Sequence, residues 1–319
     1  MAKSLKIGLI SNPLSRANRK NGGVAARVTP SRTIFVAQPS CHNQLLLDLI
    51  RFSKEGVELI VIDGGDGTVR DIISNIHHAY GSQWPLFALL PSGKTNVIAG
   101  QVGHFGSGYK GWQRLLERNK LNKLQHRRTN CPALEICWPE RSEPVKRGFL
   151  LGLAAFSDGV QIANETIHPI GIVKGLAVAM AIIGVLRRNM FTNRKKNIVL
   201  NEKCQIFVNG RHINVDRHFL VLVSSLKRLT FGLKPFRGEG RGLLNWLDIS
   251  APPRHIFIGI FLLVLGIFKT WMKQNGYLSG RAETIDIKSN HQFVLDGELY
   301  DARGHIKIVA TQPIGFLGQ

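Results

Sequence analysis

The sequence predicts a two-domain protein, with a doubly wound α/β domain followed by a mostly antiparallel β domain. Apolar strand patterns alternate with helical patterns up to the basic stretch that ends at Arg128, and short strands with turn signals follow from Pro132 onward. The length of 319 residues fits two domains, because single hydrophobic cores rarely grow beyond about 250–300 residues. We place the domains at residues 1–128 and 129–319.

The first domain is predicted from its apolar periodicity. Leucine and isoleucine recur at helical spacing between His42 and Ser53, whereas Val57–Ile62 is a continuous apolar run, as in strands buried on both faces of a parallel sheet. The predicted elements are strands over Lys6–Ser11, Thr33–Ala37, Val57–Ile62 and Leu86–Leu90, and helices over His42–Ser53, Thr68–His78 and a short segment after Thr95.

The second domain is predicted from short strands and turns. Gln205–Val208, an Asn-Gly pair and His212–Val215 predict a β-hairpin with a type I′ turn. Further strands are expected over His218–Ser224, Thr284–Ile287, Gln292–Leu295 and Ile306–Thr311, and helices near Gly171–Arg188 and Pro253–Gln274.

Charge indicates the kind of partner. Lys and Arg number 42 against 21 Asp and Glu, a net charge of +21. This excess favours an anionic surface, although a single charge cluster is also typical of a solvated face. No helix-turn-helix, RNP-like motif or zinc finger is visible, so we expect an anionic membrane surface and no nucleic acid. The clusters are Lys110, Arg114, Arg118, Lys120, Lys123, Arg127 and Arg128; Arg187, Arg188, Arg194, Lys195 and Lys196; and Lys227, Arg228, Lys234, Arg237 and Arg241.

Cysteine usage and apolar runs indicate the compartment. The four cysteines lack metal-ligand spacing and are expected to be reduced thiols, and the N-terminus lacks the apolar region of a signal peptide. Ile170–Leu186 is interrupted by a lysine and Ile256–Phe268 is shorter than the roughly 20 residues that cross a bilayer. We expect both to be buried helices, with bordering a lipid-entry groove as the alternative for either. The protein is expected to be cytoplasmic and associated peripherally with the inner face of the membrane.

The strongest chemical signal is Val61–Val69, VIDGGDGTV. An apolar strand runs directly into Gly64, Gly65, Asp66, Gly67 and Thr68, and a helix follows. Glycine lets the backbone approach a ligand and a helix N-terminus presents its amides, which is typical of a phosphate cradle. An aspartate beside phosphates indicates a bridging cation, so Asp66 is predicted as a Mg²⁺ ligand. The alternative is an ordinary turn in which Asp66 caps the helix.

A second strand-turn-helix segment, Leu89–Ala99, should end at the same edge of the sheet. Lys94 offers a cation to phosphates, and Thr95 and Asn96 are placed to cap the next helix. Capping alone would also explain the Thr-Asn pair.

These residues together resemble the diacylglycerol kinase catalytic family, which includes bacterial lipid kinases, sphingosine kinases and ceramide kinases and is related to NAD kinases. GGDGT is followed one β-α unit later by Pro91–Asn96, PSGKTN. Ser11–Ser15, SNPLS, resembles the family's Asn-Pro-x-Ser-Gly turn, with Arg16 in place of Gly. Phe293–Tyr300, FVLDGELY, resembles its late Asp-Gly-Glu.

The resemblance implies a Rossmann-like nucleotide-binding domain, a C-terminal β-sandwich and an active site in the cleft between them, with the last residues returning to the first domain. It implies an ATP- and Mg²⁺-dependent kinase that phosphorylates a hydroxyl of diacylglycerol, ceramide or a sphingoid base. Gly64–Thr68 would hold the ATP phosphates. Asn12 and the second-motif residues Lys94, Thr95 and Asn96 would complete the nucleotide site. Glu298 would take the proton of the lipid hydroxyl, and Asp296 and Asp66 would position metal or nucleophile. The residue pattern alone predicts a tight hairpin turn at Asp296-Gly297.

Two departures from the family pattern leave alternatives open. Where the family has Gly-Thr-x-Asn, this chain has Gly93-Lys94-Thr95-Asn96, so either Lys94 replaces the hydroxyl or Thr95 supplies it. Arg241 stands where many bacterial members have the Asp of a structural Mg²⁺ site, which leaves that metal open. A soluble-substrate kinase such as NAD kinase and a catalytically impaired nucleotide- or membrane-binding regulator are the alternative functions. The lipid and the oligomeric state, a homodimer included, also stay open.

Overall fold

A computed structural model describes residues 5–20, 22–121, 124–157, 202–215, 217–229, 234–236 and 238–319. The chain divides into two compact units, Met1–Pro132 with Gln312–Gln319, and Ala133–Thr311. The helix predicted over Gly171–Arg188 and the basic cluster from Arg187 to Lys196 lie outside the described residues.

The first unit is built on a six-stranded sheet. Its strands are β1 (Ile7–Ser11), β2 (Ile34–Ala37), β3 (Leu59–Gly64), β4 (Leu86–Pro91), β5 (Arg128–Cys131) and β19 (Ile314–Leu317). They lie in the order β2-β1-β3-β4-β19-β5. All neighbours pair in parallel except β5, which is antiparallel to β19. The predicted parallel sheet is confirmed.

Helices cover both faces of this sheet, as the doubly wound prediction requires. They are α1 (His42–Lys54), α2 (Asp66–Tyr80), α3 (Val97–Val102) and α4 (Gly108–Lys120), with short 3-10 turns at Asn18–Lys20, Ala25–Arg27 and Leu124–Arg127. On one face Trp112 and Leu115 of α4 pack in a core that includes Leu9 of β1. On the other face Gly8 lies against Phe52 of α1, so closely that a Cβ at Gly8 would meet the ring at 2.4 Å.

Helix α4 was not predicted from the sequence. The stretch is rich in lysine and arginine, which hid the apolar stripe of Trp112 and Leu115 that packs on the sheet. Lys110, Arg114 and Lys120 are exposed. The first basic cluster is therefore partly the solvent-facing side of an amphipathic helix.

The second unit contains two antiparallel sheets. Its strands are β6 (Leu134–Cys137), β7 (Lys146–Gly148), β8 (Leu150–Ala154), β9 (Glu202–Lys203), β10 (Gln205–Val208), β11 (Arg211–His212), β12 (Arg217–Ser224), β13 (Leu244–Ser250), β14 (Tyr277–Ala282), β15 (Thr284–Ser289), β16 (Gln292–Leu295), β17 (Glu298–Asp301) and β18 (Gly304–Ala310). One sheet has the order β11-β10-β15-β18-β6-β7 and the other the order β14-β13-β12-β8-β16-β17, with β9 beside β12.

A shared core makes these sheets a sandwich. Ile136 and Ile308 of the first sheet pack in one cluster with Leu151, Val223 and Phe293 of the second. Buried residues alternate with partly exposed ones along β15 and β18, as expected for strands with one face in the core. The predicted Asn-Gly hairpin is present between β10 and β11, with Asn209 and Gly210 at φ of +51° and +76°.

Two helices pack on the outer face of the second sheet. They are α5 (Ile256–Val264) and α6 (Thr270–Gln274), where the sequence predicted one helix over Pro253–Gln274. The prediction that this apolar run is a buried helix holds for one side of α5 only. Ile256 and Leu263 pack against Tyr277 of β14, whereas Phe257 and Phe261 are exposed. No helix in the described part of the chain is long and apolar enough to cross a bilayer.

A buried ion pair joins β12 to β13 in the same unit. His218 and Asp248 are fully buried, and the His218 Nδ1 lies 2.8 Å from the Asp248 Oδ1. Burial opposes the charged ring, but Asp248 and the Cys204 carbonyl both accept hydrogen bonds from it and raise the pKa of His218 to about 10. Burial also raises the pKa of Asp248 and so opposes its ionisation. Because both ring nitrogens face acceptors, we assign the pair as imidazolium and carboxylate.

Candidate active site

Three loops meet at the carboxyl edge of the first sheet. Strands β1, β3 and β4 are parallel neighbours, so the residues that follow them come together. Asn12 after β1 donates its backbone amide to the Asp63 carbonyl (2.9 Å), and Ser92 after β4 donates to the Gly64 carbonyl (3.0 Å). Ala17 donates to the Ser92 carbonyl (3.0 Å), which ties the first loop to the last. Both sequence motifs and the N-terminal turn therefore lie at one edge.

The glycine-rich loop leads directly into α2. Gly65 is the N-cap residue, and the first-turn amides of Asp66, Gly67 and Thr68 have no acceptor within the helix. A Cβ at Gly67 would find nothing closer than the Arg70 Nη2 at 3.9 Å, so open space lies beside this backbone. Helix-start amides with open space beside them can bind an anion such as a phosphate.

Asn12 fixes the start of α2 from the side. Its Nδ2 donates to the Thr68 Oγ1 (2.8 Å), and its Oδ1 accepts from the Leu14 amide (2.9 Å). The Thr68 side chain also explains Gly64, since a Cβ at that position would lie 2.5 Å from the Thr68 Cβ. Asn12, Gly64 and Thr68 thus form one packed unit at the start of the helix.

The two motifs touch through their glycines. A Cβ at Gly93 would lie 2.6 Å from the Gly65 Cα, and a Cβ at Gly65 would lie 2.9 Å from the Gly93 Cα. Both contacts are with backbone, which cannot give way like a flexible side chain. Any larger residue at either position would push the two loops apart.

Asp66 connects the glycine-rich loop to α3. Its Oδ2 accepts hydrogen bonds from the Thr95 Oγ1 (2.8 Å) and the Val97 amide (3.1 Å), and its Oδ1 accepts one from the Ile98 amide (3.1 Å). The carboxylate therefore caps α3, a helix about 30 residues further along the chain, rather than its own helix. Its role as a Mg²⁺ ligand stays a prediction. Oδ1 accepts one of these hydrogen bonds and Oδ2 accepts two, so Oδ1 is the oxygen with more capacity for a cation.

The expected capping of α3 by Asn96 was wrong. Asn96 occupies the N-cap position in the left-handed conformation (φ +49°) and makes no side-chain cap hydrogen bond. Its side chain instead accepts from the Gly93 amide (3.0 Å) and donates to the Gly93 carbonyl (3.2 Å). This closes the turn around Lys94, whose side chain is exposed and has no hydrogen-bond or ion-pair partner among the described residues.

Asp63 is a site residue that the sequence analysis missed. It is fully buried, and its Oδ2 accepts from the Ser11 Oγ (2.6 Å) and the Val24 amide (2.8 Å). Gly23, at φ +74°, allows this approach, since a Cβ there would lie 2.8 Å from the same oxygen. The available signal was a carboxylate ending an otherwise apolar strand. Asp63 holds the segment after β1 against the edge of the sheet.

The Asp296-Gly297 pair forms a hairpin turn between β16 and β17. Leu295 pairs with Glu298, and the two turn residues have φ of +48° and +89°, so the turn predicted from the residue pattern is confirmed. The Asp296 carboxylate accepts the backbone amides of Phe149 (3.0 Å) and Leu150 (2.9 Å), which fixes the turn to the start of β8. Glu298 begins β17 with its side chain exposed.

The segment compared with a structural Mg²⁺ site leads into β13. Gly242 is at φ +111°, and a Cβ there would lie 1.9 Å from the Ala282 carbonyl oxygen. Among the residues that the structure describes, no three His, Cys, Asp or Glu side chains are grouped to hold a metal ion.

Comparison with known proteins identifies the first part of the chain. Residues 6–126 match the family model of the diacylglycerol kinase catalytic domain. These residues belong to that family. The chain is therefore a kinase that transfers phosphate to an alcohol group. No curated protein matches it.

Solved structures from Bacillus anthracis str. Sterne share the fold over the whole chain. One crystal structure, of a protein assigned as a diacylglycerol kinase, has a TM-score of 0.67 at 15% identity and covers 100% of this chain and 99% of its own. A second has a TM-score of 0.65 at 14% identity, with coverage of 100% and 99%. A third has 0.64 at 15%, with coverage of 100% and 98%. At these identities the likeness shows the two-domain fold alone.

The diacylglycerol kinase match includes the three loops but not the late hairpin. Asn12, the glycine-rich loop and the second motif fall within residues 6–126. Asp296 and Glu298 lie beyond the matched residues, and their roles stay predictions that depend on the sequence motif.

Proposed function

We propose that this chain transfers the γ-phosphate of ATP to a hydroxyl of diacylglycerol or a related lipid at a membrane surface. The observation that carries the proposal is the glycine-lined start of α2, locked to the second motif through Asp66 within a diacylglycerol kinase catalytic domain. A helix start of this kind suits a phosphate chain, because backbone amides and the helix dipole both favour anions.

The residues present fit ATP phosphates at this edge. Open space lies beside the backbone of Gly67 in the first turn of α2, and the exposed ammonium of Lys94 is available for a phosphate oxygen. The Thr95 hydroxyl donates to Asp66, so we assign the phosphate contact in the second motif to Lys94 and a positioning role to Thr95. This chooses between the two alternatives that the motif left open.

A magnesium ion also fits, provided that phosphate oxygens supply most of its ligands. Mg²⁺ is commonly held by one or two carboxylates together with substrate phosphates and water. Asp66 would contribute Oδ1, which accepts a single hydrogen bond. When bound, the ion would neutralise charge on the transferred phosphate.

The reaction needs a base and little covalent chemistry from the protein. We assign the base to Glu298, an exposed carboxylate that the Asp296-Gly297 turn places at the start of β17. Glu298 takes the proton of the lipid hydroxyl while the hydroxyl oxygen forms a bond to the γ-phosphorus. The bond between the γ-phosphorus and the β–γ bridging oxygen breaks, and ADP is released. Asp296 acts as a positioning residue, because its carboxylate holds two backbone amides.

The membrane surface follows from the lipid substrate and from charge. Diacylglycerol resides in bilayers, and a chain of net charge +21 with an exposed basic side on α4 is attracted to anionic leaflets.

The test compares Glu298→Gln with Glu283→Gln, a matched loss of one exposed carboxylate in the same unit. Transfer of label from γ-labelled ATP to diacylglycerol in mixed micelles should fall about 10²–10⁴-fold in the first variant and stay unchanged in the second. ATP affinity, measured by calorimetry, should be the same in both. Undiminished turnover of Glu298→Gln would remove Glu298 as the base.

A further inference from the structure

The exposed side of α5 carries several large apolar side chains. Large apolar side chains on this helix and the turn after it are between 40% and 63% exposed. These residues, the α5 patch, are Phe257, Ile258, Phe261, Leu265 and Ile267. Single exposed apolar residues are common. Here Phe257 and Ile258 lie four and three residues before Phe261, and Leu265 lies four residues after it, which places them on one side of the helix, and such a group marks an interaction site.

The patch is held rigidly by the opposite side of the helix. Gly259 lies against Tyr277, so closely that a Cβ would meet the Tyr277 Oη at 2.4 Å, and this hydroxyl donates to the Arg254 carbonyl at 2.8 Å. Ile256 and Leu263 are buried in the same cluster. The helix is therefore docked on the sandwich by one face and presents the other as a fixed surface.

The charged residues that flank α5 in the sequence, and the described charged residue beside Gly266, are all basic. No Asp or Glu occurs between Ser250 and Glu283. Arg254 precedes the helix, Lys269 and Lys273 follow it, and all three are exposed. Lys234 is exposed too and lies beside Gly266, where its Cβ is 3.5 Å from a Cβ built on the glycine. An apolar centre with a rim of cations is complementary to an anionic bilayer, with aromatic side chains in the acyl boundary and ammonium groups at the phosphates.

We propose that the α5 patch inserts into the surface of an anionic phospholipid bilayer and anchors this unit there, with the helix lying in the plane of the interface. The helix is nine residues long, which suits an interfacial position and is too short to span. The anchor rests on the proposed function, since a lipid kinase must reach a substrate that resides in a bilayer, but it operates without ATP.

The experiment is sedimentation of the full chain with vesicles, without nucleotide. Vesicles of phosphatidylcholine alone are compared with vesicles that also contain phosphatidylglycerol. The wild-type chain should bind the anionic vesicles, and less well at high salt. Phe257 and Phe261 are each about half exposed, so together they offer about as much surface as one fully exposed phenylalanine. The double variant Phe257→Ser/Phe261→Ser removes this surface and should weaken partitioning about 10- to 100-fold. The control Leu47→Ser/Leu121→Ser removes two leucines of similar exposure from the other unit and should leave binding unchanged.

Activity on a short-chain, monomerically dispersed diacylglycerol separates this proposal from the kinase assignment. The double phenylalanine variant should retain that activity and lose activity on vesicles. Equal vesicle binding by this variant and the wild type would overturn the anchor whatever the kinase assay gives. A dimer that dissociates in the variant, with vesicle binding unchanged, would also overturn it and assign the patch to self-association.

Discussion

Replacing Gly67 by alanine separates the stability of the glycine-rich loop from its capacity to hold a phosphate. Gly67 lies in the first turn of α2, and a Cβ there would make only an ordinary contact at 3.9 Å with the Arg70 Nη2. Alanine is better than glycine in a helix interior by up to about 1 kcal/mol. The free energy of unfolding should therefore stay the same or rise by up to about 1 kcal/mol.

Nucleotide binding should change in the opposite direction. The added methyl group would occupy the open space beside the helix-start amides, where we place a phosphate oxygen. Loss of one hydrogen bond to a charged group weakens binding by about 1.5–3 kcal/mol, or roughly 10- to 100-fold. Calorimetric titration with ATP and urea unfolding of the same preparation measure the two effects.

Gly65→Ala is the matched comparison. Gly65 has extended backbone angles (φ −96°, ψ −175°) that alanine can adopt, so any cost comes from the contact with the Gly93 Cα at 2.9 Å. Overpacking of this kind costs about 1–3 kcal/mol, and this variant should lose both stability and ATP affinity. Normal ATP affinity in Gly67→Ala would refute the assignment of these amides as the phosphate cradle.

Three further substitutions test individual hydrogen bonds by urea unfolding. Asp66→Asn keeps one oxygen and leaves one of the two backbone amides at the start of α3 facing an NH₂ group, which should cost about 1.5–3 kcal/mol. No loss of stability would exclude Asp66 as the cap of α3. Asp296→Asn should cost a similar amount, because the carboxylate holds two backbone amides, and an unchanged midpoint would contradict its positioning role. His218→Gln leaves Asp248 buried without its counter-ion and should cost about 3–5 kcal/mol. The pKa of His218 is raised from the ordinary 6.5 to about 10 in the folded chain. The stability advantage of wild type over this variant should therefore be full below about pH 6.5 and be lost as pH rises through 10. A pH-independent difference would rule out the charged pair.

The strands and loops of the first unit were predicted well from the sequence, because strands buried in a parallel sheet appear as continuous apolar runs. The apolar run that forms most of β3 and the glycines after it predicted both the strand and the loop, and the strand order places the second motif at the same edge. The position of α4 was missed because a high density of lysine and arginine weakened the helical periodicity around Trp112.

Contacts between distant residues could not be predicted. The bonds from Asp66 to Thr95 and to the start of α3 join residues about 30 positions apart, and no local pattern distinguishes them from the capping of α2. Asp63 likewise acquires its role only when Ser11 and Val24 are placed beside it. A continuous apolar run does not show which side of a helix packs against the rest of the protein. The exposure of Phe261 is therefore known only from the structure.

The most direct test of the central claim is transfer of label from γ-labelled ATP to a panel of acceptors. Diacylglycerol, ceramide, sphingosine and phosphatidylglycerol are presented in mixed micelles, with NAD as the soluble acceptor and Glu298→Gln as the inactive control. We predict label on the hydroxyl of a lipid, lost in the variant. Label on NAD alone, or no labelled lipid from a chain that still binds ATP, would contradict the account.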